Sequence, residues 1–282
     1  MSSIVMFGSL LCALFSAFAA GTSLSQKTIL TSYLDGNTDI VRASFFNPPI
    51  NLVDVNVIDD LYDLLTELNA SASRPKVVIF SKPRPGNSTA IINRYAEVLR
   101  LLSILPMIFL GESNGLTTSA GNEVFLHMDM RFAGPQATFG GIEAGVGLLH
   151  VGGFRQLSHL IGAGRAAQYL LTSLNADART ASRIGWVNDM FEDAGTLRRN
   201  SNDLARRMAL FPAGGLAATK QAIHDTDIGT SEQPFEIQLF NHVVNSSIAQ
   251  YALARYLTLS RNGTDRLFEA GRPESLAQIW EK

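Results

Sequence analysis

The chain has one cysteine in 282 residues, Cys12. An internal disulfide is therefore excluded, and stability must come from burial and hydrogen bonding. Neither sign of charge is in surplus, because 23 Lys and Arg against 25 Asp and Glu leave a net charge of -2. That balance argues against nucleic acid or an acidic surface as the main partner. No internal repeat, metal-ligand cluster, Walker motif or Ser-His-Asp arrangement is present. The last residues, Ile279-Trp280-Glu281-Lys282, do not form a Ser-Lys-Leu type peroxisomal signal. What the chain does have is apolar content: 46% of its residues are hydrophobic, enough for one domain with a full core.

Charge is also missing from Ile4 to Ala20, an apolar run that ends in Ala17-Phe18-Ala19. Residues 1–20 read as a secretory signal peptide with cleavage near Ala19 or Ala20, although no Lys or Arg precedes the run. The run is also close to spanning length, which leaves a membrane anchor or an intracellular chain as the alternatives. Asn-x-Ser/Thr sequons at Asn69, Asn87, Asn245 and Asn262 fit a secreted glycoprotein.

Beyond that run, residues 21–36 are mostly polar. Ile40 to Phe46 reads as a strand, and the prolines of Asn47-Pro48-Pro49-Ile50-Asn51 force a turn. Asp54 to Leu68 has apolar residues at helical spacing, and Lys76 to Phe80 is a second strand, which implies a parallel pair with a crossover. A helix from about Ser88 to Leu105 leads to a strand at Met107 to Leu110. Helical blocks follow at Phe154 to Ile161, Ala163 to Leu171, Asp177 to Ile184 and Leu197 to Leu210, then a helix through Lys220 and a long amphipathic one over Phe235 to Leu259.

The stretch richest in chemistry runs from Asn114 to Gly153. Two segments of small residues, Thr117 to Gly121 and Gly140-Gly141, each lead to a lone glutamate in apolar surroundings, Glu123 and Glu143. Gly121 to Met130 reads as a helix with Ser119 as N-cap. Backbone N–H groups of residues 119 to 121 would then be free to hold an anion at the helix start, and the dipole there favours the carboxylate form of Glu123. Glu143 follows a strand over roughly Ala137 to Gly140.

These residues carry a resemblance to the crotonase family of enoyl-CoA hydratases and isomerases. Asn114-Gly115, Ser119-Ala120-Gly121, Glu123, Asp129, Arg131 and Ala133 are similar to the family's Asn-Gly…Gly-Gly-Gly…Glu…Asp-x-Arg-x-Ala pattern, and Ala137, Phe139, Gly140 and Glu143 match the next motif. Gly162 to Thr172, then Ala178, Ala181, Gly185 and Val187-Asn188, resemble the stretch that ends in Gly-Leu-Val-Asn. Order and spacing hold over roughly Ile40 to Asp225. The resemblance implies an α/β fold with a crotonase-like ββα spiral core (residues 21–225) and a C-terminal helical trimerisation region (residues 226–282). It also implies a homotrimer or dimer of trimers, with no cofactor other than the coenzyme A carried by an acyl-thioester substrate.

The sequence departs from the family in several places. After the strand ending at Phe80 only Ser81-Lys82-Pro83-Arg84-Pro85-Gly86-Asn87 stands where the family has a long loop that supplies the second oxyanion N–H and part of the adenine pocket. Pro83 and Pro85 cannot donate a backbone N–H, so Ser81 and Lys82 are the candidate donors. The middle glycine is Ala120, which keeps its N–H. The proline before the second glutamate is Ile142, and His150-Val151 replaces the usual Pro-Gly. A lone histidine in an apolar run reads as a packed or hydrogen-bonded side chain.

By resemblance, Glu123 and Glu143 are the catalytic acids, Ala120 N–H is the oxyanion donor, and Ser119, Gly121, Lys82 and Lys220 bind substrate. The activity implied is hydration, dehydration or isomerisation of an α,β-unsaturated acyl thioester. The alternatives are an inactive or repurposed secreted binding protein of this fold, or an enzyme acting on a small molecule without coenzyme A.

Overall fold

The computed structural model describes residues 27–47, 52–81, 84–85, 92–225 and 244–261. The signal-like segment, the Asn-Pro-Pro turn, Lys82, Asn87 and Asn262 lie outside them, as do residues 226–243. Among the described residues no helix is long and apolar enough to cross a membrane.

In chain order the strands are β1 Ile29–Leu34, β2 Asn37–Phe45, β3 Leu52–Val53, β4 Val77–Ser81, β5 Arg84–Pro85, β6 Ile108–Ser113, β7 Leu116–Thr118, β8 Met130–Ala133, β9 Thr138–Gly140, β10 Ala176–Asp177 and β11 Asp189–Met190. The helices are α1 Val55–Ala70, α2 Ile92–Ile104, α3 Ala120–Leu126, α4 Gly153–Ile161, α5 Ala163–Thr172, α6 Ala178–Ile184, α7 Ala194–Ala209, α8 Ala213–Asp225 and α9 Ser247–Arg261, with a 3₁₀ turn at Ala144–Val146.

Six strands form the main sheet in the order β1-β2-β4-β6-β8-β11. All neighbours are parallel except the β1–β2 hairpin. Both faces are covered, which is why its central strands read as continuous apolar runs. The period of two sorts their side chains. Val78 and Phe80 of β4 and Phe109 of β6 join the core under α1 and α2, whereas Val77, Ile79, Ile108 and Leu110 face the core closed by Leu197, Ala205 and Met208 of α7. Charge on that second face is paired: Arg42 of β2 makes a bidentate bond to Glu112 of β6 at 2.8 and 3.1 Å and reaches Asn202 of α7 at 2.6 Å. A second layer, the sheet β10-β9-β7, packs with α3 to α6 around Phe125, Phe139 and the fully buried Trp186.

Two expectations need correction. Residues 29–34, inside the segment read as polar, form β1, turned back on β2 by Asp35 and Gly36, which both have positive φ (54° and 73°). The helix expected to run to Met130 stops at Leu126. Asp129 there leaves the helix to bond β6, its N–H donating to Phe109 O at 2.9 Å, and Met130–Ala133 becomes β8. The apolar Val124, Phe125, Leu126 and Met128 are buried either way, so periodicity could not mark the boundary.

Candidate active site

Four elements bring four titratable groups together. Glu123 lies in the first turn of α3, Glu143 three residues beyond β9 at the start of the 3₁₀ turn, His150 in the loop before α4, and Tyr95 on α2. Glu123 and His150 are each 3% exposed, and the Glu143 side chain keeps 13% of its surface. His150 stands between the acids. Its Nδ1 is 3.6 Å from Glu123 Oε1 and its Nε2 is 3.1 Å from Glu143 Oε2. These are ion-pair distances rather than aligned hydrogen bonds, for neither imidazole nitrogen, nor Glu143 Oε2, nor the buried Ser119 hydroxyl has a hydrogen-bond partner of proper geometry among the described residues. Buried polar atoms without aligned protein partners, gathered in one place, fit a site whose bonding is completed by water or a ligand.

The Tyr95 hydroxyl lies 2.9 Å from Glu123 Oε2 and 2.8 Å from the Ala120 carbonyl. Burial and the neighbouring Glu123 carboxylate push its pKa well above the phenolic range, so Tyr95 is a hydrogen-bond donor at any working pH. Burial, with a further push from Glu123, raises Glu143, against the attraction of His150. His150 itself is raised, because the two carboxylates outweigh the burial that opposes its charge. Glu123 is thus oriented by a hydrogen-bond donor, while burial makes Glu143 prone to keep a proton.

Glycine makes the arrangement possible. A Cβ on Gly141 would sit 1.9 Å from His150 Cε1 and 2.6 Å from Glu143 Oε2, and one on Gly153 would sit 2.9 Å from Glu123 Cγ. At α3, Ser119 occupies the position before the helix, but its side chain makes no capping bond. The residue adopts φ 53° and ψ -133°, outside the extended conformation that a capping residue usually has. Its own N–H donates to Gly140 O at 3.1 Å, tying the two glutamate-bearing segments together. The first N–H groups of α3, from Ala120 and Gly121, have no acceptor within the helix.

Lys220 is placed elsewhere. Its ammonium donates to Leu102 O at 2.8 Å, Met107 O at 3.0 Å and Asp129 Oδ2 at 3.0 Å. All three protons are used, so the expected contact to substrate gives way to a buried clamp. Lys220 lines a separate cavity of about 490 Å³, to which none of Glu123, Glu143 and His150 contributes. Ser81, the alternative oxyanion donor, donates its hydroxyl to Ser44 at 3.1 Å.

Two members of the site are not legible as such in the sequence. Tyr95 is hidden in an amphipathic helix whose other inward residues are apolar, and nothing local distinguishes its hydroxyl from a core ring's edge. His150 does have a signal, its replacement of the family's proline seven residues beyond Glu143, but an apolar run around a lone histidine reads as packing.

Residues 81–260 match the family described as enoyl-CoA hydratase/isomerase. The chain is 30% identical over 165 residues to the short-chain-enoyl-CoA hydratase of Clostridium acetobutylicum, covering 57% of this chain and 62% of that enzyme. It is 27% identical over 157 residues to the 1,2-epoxyphenylacetyl-CoA isomerase of Escherichia coli, covering 55% and 60%. These matches span about three-fifths of each relative's length. A solved structure from Streptomyces avermitilis, described as a putative enoyl-CoA hydratase, superposes with a TM-score of 0.78 at 29% identity, covering 89% of this chain and 98% of that one. With the α/β core and the paired glutamate segments in place, the chain belongs to the enoyl-CoA hydratase/isomerase family and has the crotonase fold.

Proposed function

We propose that the chain hydrates, dehydrates or isomerises an α,β-unsaturated acyl thioester, with Glu123 and Glu143 as the proton-transferring groups and Ala120 N–H as an oxyanion donor. The observation that carries this reading is the convergence of the buried Glu123 and the partly buried Glu143 on one imidazole beside a helix start. When the thioester oxygen is held by backbone N–H, negative charge developing on it is stabilised without reorganisation, and Cβ becomes open to attack. In the hydration direction Glu123, oriented by the Tyr95 hydroxyl, takes a proton from water. The water oxygen bonds to Cβ, the π electrons move toward the thioester oxygen, and Glu143 delivers its proton to Cα. Isomerisation needs only removal and return of a proton by one of the same carboxylates. The relatives named for acyl-CoA substrates support the thioester, and coenzyme A enters as part of the substrate.

The test is the loss of conjugated absorbance of crotonyl-CoA with the full chain, beside Glu143→Gln and Glu123→Gln. Turnover that falls on the order of 100-fold or more in each variant supports the proposal. Equal rates in wild type and Glu143→Gln remove Glu143 from the mechanism, and failure of the wild type to turn over any enoyl thioester refutes the reading.

A further inference from the structure

His150 does not have the surroundings of a packing residue. A packed histidine meets a carbonyl or a hydroxyl, as His127 does through Nδ1, 2.8 Å from the Glu123 carbonyl. Here each nitrogen of a side chain 3% exposed lies beside a different carboxylate, at 3.6 and 3.1 Å. A neutral imidazole has one N–H and one lone pair. In that form one of the two carboxylates faces a lone pair, which is repulsive unless that carboxylate is itself protonated. An imidazolium has a proton for each.

We infer that His150 is a positioning residue whose imidazolium holds the Glu123 and Glu143 carboxylates in register in the resting site and lends Glu143, 3.1 Å from Nε2, the proton it passes to Cα, and whose loss of charge disarms the pair at alkaline pH. The inference rests on the proposed function for its rate measurements but not for its spectroscopic one. Mechanically, the tether adds a side-chain link to segments joined behind it by the Ser119–Gly140 backbone bond: Glu123 is fixed on α3, whereas Glu143 opens a 3₁₀ turn. Space supports the assignment, since Gly141 leaves room for the imidazole edge that any Cβ would fill. The titratable groups around His150 are Glu123 on α3, Glu143 after β9, Tyr95 on α2 acting through Glu123, and His127, whose own charge burial suppresses to a pKa of about 4. His127 is therefore neutral where the pair works and does not compete for the acids. The absence of aligned hydrogen bonds around the ring leaves the carboxylate oxygens free to turn toward a reacting group while still feeling the charge.

Two measurements decide it. In the full chain, long-range proton–nitrogen NMR of His150 is followed from about pH 5 to pH 9. Doubly protonated imidazole should persist above the ordinary histidine range in wild type and drop back toward it in Glu143→Gln. A singly protonated ring at neutral pH, unmoved by Glu143→Gln, overturns the tether even if the enzyme is inactive. For rates, His150→Gln should lower kcat roughly 10-fold to 100-fold, leave KM within about twofold, and abolish the alkaline fall of the kcat profile. His150→Ala should regain part of its rate with added imidazole. Unchanged kcat and alkaline limb in His150→Gln, with turnover still dependent on Glu143, sinks the tether while the proposed function stands. Should the His150 variants fail to fold, the Glu143→Gln titration still separates a charged tether from a neutral ring.

Discussion

One hydroxyl proton serves two acceptors at Tyr95, and substitution would reveal how much the site depends on it. In Tyr95→Phe the ring still fills its place under α3, but the Ala120 carbonyl and Glu123 Oε2 lose their donor. A buried acceptor left unmet costs about 1–3 kcal/mol, so the urea midpoint should fall accordingly. The kcat should fall too, because Glu123 would lose the hydrogen bond that orients its carboxylate. Gly141→Ala is the converse case, an added atom rather than a lost one. Its methyl meets His150 Cε1 at 1.9 Å, far inside contact distance, so the imidazole must leave its place between the acids. The expected outcome is a kcat loss comparable to that of His150→Gln with KM much less affected, measured on crotonyl-CoA. Activity equal to wild type would mean that the ring has another place to sit.

Elements differ in how legibly they are written. Helices α1, α6 and α7 begin after Asp54, Asp177 and Asp193, whose side chains accept from Val57, Thr180 and Thr196 N–H, and such caps are local and readable. α3 is legible in position but not in length or cap. Its end depends on Asp129 crossing to β6, and Ser119 depends on its bond to Gly140, both contacts distant in sequence. Arg131, part of a family motif in the sequence, serves the same junction, donating to Trp186 O at 3.1 Å and Met128 O at 2.6 Å. The two glutamates can be found because each follows a run of small residues, whereas Tyr95 cannot, since its role exists only once α2 lies across α3. The end of α3 also makes a prediction. Burial lowers the His127 pKa to about 4 from the usual range near 6.5, so the unfolded chain binds the proton more readily than the folded one. The stability this contributes is therefore present above about pH 6.5 and is lost as pH falls toward 4, by roughly 3 kcal/mol at most. Urea midpoints at about pH 7.5 and 4.5 should separate more in wild type than in His127→Asn.

At the scale of the molecule, the parallel sheet is foreseeable from strand, helix and strand in succession, but the way α8 is fastened to it is not. Lys220 looks from the sequence like a surface lysine or a substrate contact, since nothing nearby in the chain shows that Asp129 will face it. Their meeting closes a junction of three segments: Asp129 Oδ2 accepts from Phe109 N–H at 2.7 Å and from Lys220 at 3.0 Å, while Oδ1 lies 3.0 Å from His224 Nε2. The ammonium also lies 4.4 Å from the centre of the Phe109 ring, and burial lowers its pKa against the pull of Asp129. Lys220→Met keeps the length of the stem but strips one charge from a buried pair and leaves the Leu102 and Met107 carbonyls without their donor. Removing one partner of such a pair costs about 3–5 kcal/mol. His224 and Phe109 N–H still face Asp129, so the lower end of that range is expected in urea unfolding. Turnover per folded molecule should stay near wild type, because the Lys220 ammonium spends its hydrogen bonds on Leu102, Met107 and Asp129 and on neither glutamate. A variant that kept its stability but raised KM for an acyl thioester would return Lys220 to the substrate.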